Sequence, residues 1–103
     1  MNLSIVKLDL RKILMAKKRR KLNKDFEKAI YSSKKNVELI LAKIYDIEDE
    51  DIQKEYISAF NKVVFLYERL KEDYDQKGFS DISEGLFTNY ENAFNLFESE
   101  FEI

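Results

Sequence analysis

The sequence predicts an all-α protein, a compact antiparallel four-helix bundle. The 103 residues contain no proline and only two glycines, Gly78 and Gly85, so the residues that break helices are nearly missing. Apolar residues recur at helical spacing in four stretches joined by short connections. Short connections favour antiparallel neighbours, and the 45% hydrophobic content supplies a core for one domain. We therefore predict a single helical-bundle domain over residues 1–103.

The first predicted helix covers about residues 4–20. Its apolar stripe consists of Leu3, Val6, Leu10, Ile13 and Leu14. After it the stripe loses phase, because Leu22 and Phe26 fall on a different side of a continued helix. A break at residues 21–24, with Asn23 as the N-cap of the next helix, would restore the phase.

The second predicted helix covers about residues 24–46 and presents one coherent apolar face. That face is formed by Phe26, Ala29, Ile30, Ser33, Val37, Ile40, Leu41 and Ile44. The acidic segment 46–51 follows and is expected to end this helix and cap the next one, because acidic side chains are favourable at a helix N-terminus.

Two further helices are predicted over about residues 50–77 and 81–101. Lys77 and Gly78 form a suitable end for the third helix, and Ser80 is a suitable N-cap for the fourth. The apolar face of the third helix comprises Ile52, Tyr56, Ala59, Phe60, Val63, Tyr67, Leu70 and Tyr74. That of the fourth comprises Ile82, Leu86, Tyr90, Ala93, Phe94, Phe97 and Phe101.

Charge is segregated along the chain into a basic N-terminal helix, residues 1–24, and an acidic remainder, residues 25–103. The first part holds nine bases and one acid, and the second holds nine bases and nineteen acids. Such asymmetry indicates a binding surface. The candidate partner-binding basic patch consists of Arg11, Lys12, Lys17, Lys18, Arg19, Arg20, Lys21 and Lys24.

Several ligands are compatible with this basic patch. It could track nucleic-acid phosphates, lie on an anionic membrane surface, or dock an acidic protein, including the acidic remainder of the chain itself. The simplest interpretation is a solvated helix end whose cations favour the helix dipole. Association of the chain with copies of itself is also compatible with the sequence.

The residue types present argue against catalysis. There is no histidine and no cysteine, so the usual hydrolytic triad, a thiolate nucleophile and the usual zinc sites are excluded. An EF-hand read from Asp46 would need glycine at its sixth position and glutamate at its twelfth, where the chain has Asp51 and Ile57. We therefore expect a non-enzyme with no catalytic residues, no metal and no cofactor.

The location is expected to be cytoplasmic. The absence of cysteine fits a reducing compartment, no signal peptide is recognised, and no apolar run approaches the length that spans a bilayer. The sequence therefore predicts no transmembrane segment.

The favoured function is binding of a protein partner, as an inhibitor, immunity factor or adaptor. Leu39, Phe65 and Phe87 lie off the apolar stripes and are the candidate exposed anchors. The alternative is a nucleic-acid-binding accessory protein that uses the basic N-terminal helix, and the third hypothesis is a self-associating structural protein. In length and helical layout the chain resembles the small helical immunity proteins of bacteriocin systems; this likeness of architecture implies a protein partner and assigns no residue a role.

Overall fold

The part of the chain that the structure describes forms three helices. The computed structural model describes the backbone of residues 3–103 and the side chains of residues 23–103. Within that part lie α1 (Leu3–Tyr45), α2 (Glu50–Lys77) and α3 (Asp81–Glu100), so 88% of the chain is helical, and the described backbone contains no strand. The prediction of an all-α fold is confirmed, whereas the prediction of four helices is wrong.

The predicted break at residues 21–24 is wrong, because α1 is continuous through it. Neither glycine nor proline occurs within α1, so nothing forces the helix to end. A change of phase in the apolar pattern does not require a break either, since a helix needs one continuous stripe only where it packs against other elements. Asn23 therefore lies inside a helix and is not an N-cap.

The bounds of α2 follow from local interactions that the sequence predicted. Asp49 is the N-cap, and its Oδ1 accepts hydrogen bonds from the backbone N–H groups of Asp51 at 3.0 Å and Ile52 at 3.1 Å. At the other end Gly78 has φ +72° and donates its N–H to the carbonyl oxygen of Tyr74 at 2.8 Å. This positive φ is unfavourable for residues with a Cβ, which explains why glycine ends this helix.

Ser80 begins α3 as predicted, within a reciprocal capping box. Its Oγ accepts from the Ser83 N–H at 3.2 Å, and the Ser83 Oγ accepts from the Ser80 N–H at 2.8 Å. Two backbone N–H groups that the helix itself leaves unpaired are thus satisfied. The sequence predicted the first of these bonds and not the second.

The three helices run antiparallel in succession around a core rich in aromatic side chains. Asn23 contacts Tyr74 near one end of the α1–α2 pair, and the Gln53 side chain donates to the Ile44 carbonyl oxygen at the other. The buried apolar residues come from all three helices: Phe26, Ile30, Val37, Ile40, Ile44, Phe60, Val63, Tyr67, Leu70, Tyr90 and Phe97. All of them belong to the predicted faces, whereas Ile52 and Ile82, in the first turns of α2 and α3, are exposed.

Helix α2 is the central element of the bundle. Within the described residues no Cα atom of α1 lies within 8 Å of a Cα atom of α3, whereas both helices approach α2 that closely. Helices α1 and α3 meet through side chains, as in the hydrogen bond that the Tyr90 hydroxyl donates to the Ser33 carbonyl oxygen at 3.5 Å. Open grooves lie between α1 and α2 and between α1 and α3.

Candidate docking groove between α1 and α2

An open groove with a volume of about 850 Å³ lies between α1 and α2. We call it the lysine groove. Helix α1 contributes residues 24–34 and α2 contributes residues 67–75. Its lining residues are Lys24, Glu27, Lys28, Ile30, Tyr31, Ser32, Lys34, Tyr67, Lys71, Tyr74 and Asp75.

The floor of the lysine groove is apolar and belongs to the core. Ile30 and Tyr67 are buried and Tyr74 is half-buried. Burial raises the pKa of the Tyr67 hydroxyl and that of the Tyr74 hydroxyl above the ordinary tyrosine value. Because both phenols therefore stay protonated and neutral at physiological pH, they offer a polar edge on an apolar surface rather than a catalytic base.

The rim of the lysine groove is basic. Four lysines and two carboxylates line it, and one carboxylate is already paired, because the Lys71 ammonium donates to Asp75 at 2.6 Å and 2.8 Å. This hydrogen bond raises the pKa of Lys71. A further ammonium, that of Lys35, lies 4.8 Å from the centre of the Tyr31 ring and adds positive charge at the edge.

The groove between α1 and α3 has the opposite charge. Its volume is about 370 Å³, and its only charged lining residues are Glu91 and Glu98. Ala29 and Ser33 of α1 and Phe94 of α3 are among the residues that line it. The two grooves on either side of α1 therefore differ both in volume and in the sign of their charge.

The basic patch predicted from the sequence lies almost wholly on the part of α1 whose side chains fall outside the described residues. That statement applies to Arg11, Lys12, Lys17, Lys18, Arg19, Arg20 and Lys21. The exception is Lys24, which is exposed and lines the lysine groove. Because α1 is continuous, the backbone of the patch leads directly into this groove.

Two of the three candidate anchors are exposed and one is not. Leu39 on α1 is 54% exposed and Phe65 on α2 is 57% exposed. Phe87 packs against the core, with its ring centre 5.4 Å from that of Phe26. The prediction that Phe87 is exposed is wrong, because the edge of α3 on which it lies faces α1.

Sequence reasoning did not identify the lysine groove. The part of the groove on α1 could have been recognised from the sequence, because Lys24, Lys28 and Tyr31 follow the i, i+4, i+7 spacing of one helix face. The part on α2 could not, because Tyr67 and Lys71 become neighbours of that face only through the antiparallel pairing of two distant segments. A groove between helices is a property of their pairing.

Among residues 23–103 no group of three or more carboxylates is placed to hold a metal ion. No helix in the described part of the chain has an apolar stretch long enough to cross a bilayer. No protein-family model, no curated protein and no solved structure matches the chain.

Proposed function

We propose that this chain is a non-enzymatic protein-docking module, of the inhibitor, immunity-factor or adaptor type, and that it binds its partner in the lysine groove. One observation carries the proposal: an open groove with a floor of buried Ile30 and Tyr67 and a rim of lysines. Apolar floors surrounded by charged rims are typical of protein interfaces, in which the centre supplies affinity and the rim supplies orientation and association rate.

The exposed candidate anchors are weaker docking sites than this groove. Phe65 is surrounded on its own helix, at positions three and four residues away, by Asn61, Lys62, Glu68 and Arg69. A single exposed apolar side chain among polar ones is ordinary for a protein surface. We therefore place the partner in the groove and not at Leu39 or Phe65.

A nucleic-acid-binding accessory function is the second candidate, and the continuity of α1 favours it. The basic run from Arg11 to Lys21 continues into Lys24 and Lys28 on the same uninterrupted helix. Neutralising phosphates with such a row would release counterions and make binding strongly dependent on salt. The acidic remainder of the chain opposes this function, because its net charge repels phosphates.

Capture of the partner from cells of the source organism, with matched charge variants, tests the proposal. The immobilised wild-type chain is compared with the groove variant Lys28→Glu/Lys34→Glu and with the control Lys54→Glu/Lys62→Glu. The control lysines are exposed and lie outside the groove. We expect mass spectrometry to identify a protein retained by the wild type and the control and lost from the groove variant.

Two outcomes would contradict the proposal. If all three proteins retain the same partner, the contact lies outside the lysine groove. If the captured material disappears after nuclease treatment, the chain acts on nucleic acid and the second candidate replaces the first. Circular dichroism of each variant must show unchanged helix content, so that loss of capture reports the surface and not the fold.

A further inference from the structure

From the shape, floor and charge of the lysine groove we infer the chemistry of its occupant, an inference that rests on the proposed docking function. We propose that the partner supplies an acidic amphipathic helix, which lies along α1 and α2 as a fourth helix. Each of the three properties of the groove supports this identification separately.

The shape of the groove fits a helix. It runs between two antiparallel helices from Lys24 to Lys34 on α1, which corresponds to about 15 Å or roughly three turns of a helix laid alongside. A short amphipathic helix in such a groove is a recurrent mode of protein recognition. Antiparallel helices with short connections pack stably in groups of four, and this chain supplies three.

The floor of the lysine groove favours apolar anchor residues on the helix that occupies it. Ile30 and Tyr67 form its buried part, and the rings of Tyr31 and Tyr74 border it. A helix presents matching apolar side chains at positions i, i+3, i+4 and i+7. Tyrosine rings suit such contacts, because they offer a large apolar face and keep a hydroxyl in water.

The rim of the lysine groove favours acidic residues beside the apolar anchors of that helix. Lys71 is paired with Asp75 within the chain. Lys24, Lys28 and Lys34 are exposed, and neither of the two ion pairs formed among residues 23–103 includes them. Glutamate or aspartate beside the apolar anchors would complement these three cations, whereas a basic helix would be repelled.

The groove between α1 and α3 provides the internal comparison. Glu91 and Glu98 are its only charged lining residues, and its volume is less than half that of the lysine groove. An acidic helix would be repelled there. We therefore expect an acidic helix to bind on the side of α1 that faces α2, in the lysine groove. A basic helix is expected not to bind there.

Fluorescence anisotropy with two synthetic peptides tests the inference on the full-length chain. The acidic probe carries leucine at positions i, i+3, i+4 and i+7 and glutamate elsewhere on its flanks, and the basic probe replaces each glutamate with lysine. We expect the acidic probe to bind at least about tenfold more tightly than the basic probe. We also expect its affinity to fall as salt is added, since salt screens exposed charges.

Three double variants test where on the chain the acidic probe binds. Lys28→Glu/Lys34→Glu should raise the Kd of the acidic probe by about tenfold or more. The control Lys54→Glu/Lys62→Glu carries the same charge change on the outer surface of α2, and Glu91→Gln/Glu98→Gln removes the charge of the other groove. Both should leave the Kd within about twofold of the wild type. Chemical-shift changes on adding the probe should centre on Ile30 and Tyr67.

The inference is overturned if the basic probe binds more tightly, if the control variants weaken the acidic probe as much as the groove variant does, or if neither probe binds. These results are distinguishable from failure of the docking function. A natural partner that needs Lys28 and Lys34, combined with an acidic probe that does not bind, refutes the acidic helix and leaves protein docking intact. Competition for the same site by duplex DNA at lower concentration than the acidic probe would assign the groove to nucleic acid instead.

Discussion

Asn23 links α1 to the turn between α2 and α3. Its Oδ1 accepts hydrogen bonds from the Tyr74 hydroxyl at 3.2 Å and from the Phe79 backbone N–H at 3.3 Å. The second bond satisfies a donor in the turn that no helix can satisfy. The property that made Asn23 resemble an N-cap, a short side chain that accepts from backbone N–H groups, is thus used across the tertiary structure and not within its own helix.

Replacing Asn23 with alanine should destabilise the protein. Two hydrogen bonds are lost, and we expect the free energy of unfolding to fall by about 1–2 kcal/mol. Urea unfolding followed by circular dichroism measures this change. The control is Asn61→Ala at an exposed position inside α2, where helix propensity changes in the same way and stability should stay within about 0.5 kcal/mol or rise slightly. Equal effects at the two sites would mean that the contacts of Asn23 contribute nothing.

At the scale of the helix, local chemistry accounts for the ends that were predicted correctly. The bounds of α2 agree with the prediction, and those of α3 differ by one residue. Asp49, Gly78 and Ser80 act within a few residues of their own positions, so their roles can be read without tertiary information. The predicted start of the second helix was wrong for two reasons. A shift in apolar phase is not a local signal for a helix end, and the Asn23 side chain, expected to be an N-cap, bonds instead to Tyr74 and Phe79.

The two glycines provide a matched test of this local control. Gly78 has φ +72° and Gly85 lies inside α3, where a Cβ would meet no atom within 4 Å. We expect Gly78→Ala to lower the free energy of unfolding by about 1 kcal/mol, since its backbone conformation is unfavourable for alanine. Gly85→Ala should raise it by about 0.5–1 kcal/mol, because alanine is the better helix former.

Thermal unfolding of the two glycine variants is the measurement. Opposite shifts of Tm are expected for the same chemical change. A decrease of Tm for both would indicate that Gly85 has a packing role which its surroundings in α3 do not reveal, and an increase for both would contradict the assignment of Gly78 as the helix end.

At the scale of the whole molecule, aromatic side chains hold the three helices together. Phe60 of α2 is completely buried, and its ring centre lies 4.8 Å from that of Phe97 on α3. The Tyr67 and Tyr90 rings, with centres 5.9 Å apart, continue the same contact about two helical turns further along. Such edge-to-face pairs contribute beyond the burial of their area, so they add to the stability of the α2–α3 pair.

The variants Phe60→Ala and Phe65→Ala should therefore differ strongly in their free energy of unfolding, although the two residues lie close together on one helix. Removal of the buried Phe60 ring should lower the free energy of unfolding by about 3–5 kcal/mol. Removal of the exposed Phe65 ring should change it by less than about 0.5 kcal/mol. Chemical denaturation of the two variants checks the comparison, and a large loss at Phe65 would contradict its placement on the surface.

Helix content, most helix ends and the core faces were determined by the sequence alone. Near-absence of glycine and proline, capping residues and the 3.6-residue period each act over one or two turns, so they can be read without knowing which helix packs on which. The charge segregation is likewise a property of the chain. These signals identified every buried apolar residue of the described part, and they also excluded the usual histidine and cysteine chemistry.

Only the tertiary structure decided which of these faces are paired. The continuity of α1 carries the basic run into one bundle groove, and the burial of Phe87 against Phe26 removes one expected anchor. The lysine groove itself exists because Tyr67 and Lys71 lie beside Ile30 and Lys34, more than thirty residues away in the chain. Contacts between distant segments depend on the arrangement of whole helices, and a pattern confined to one helix carries no information about its neighbours.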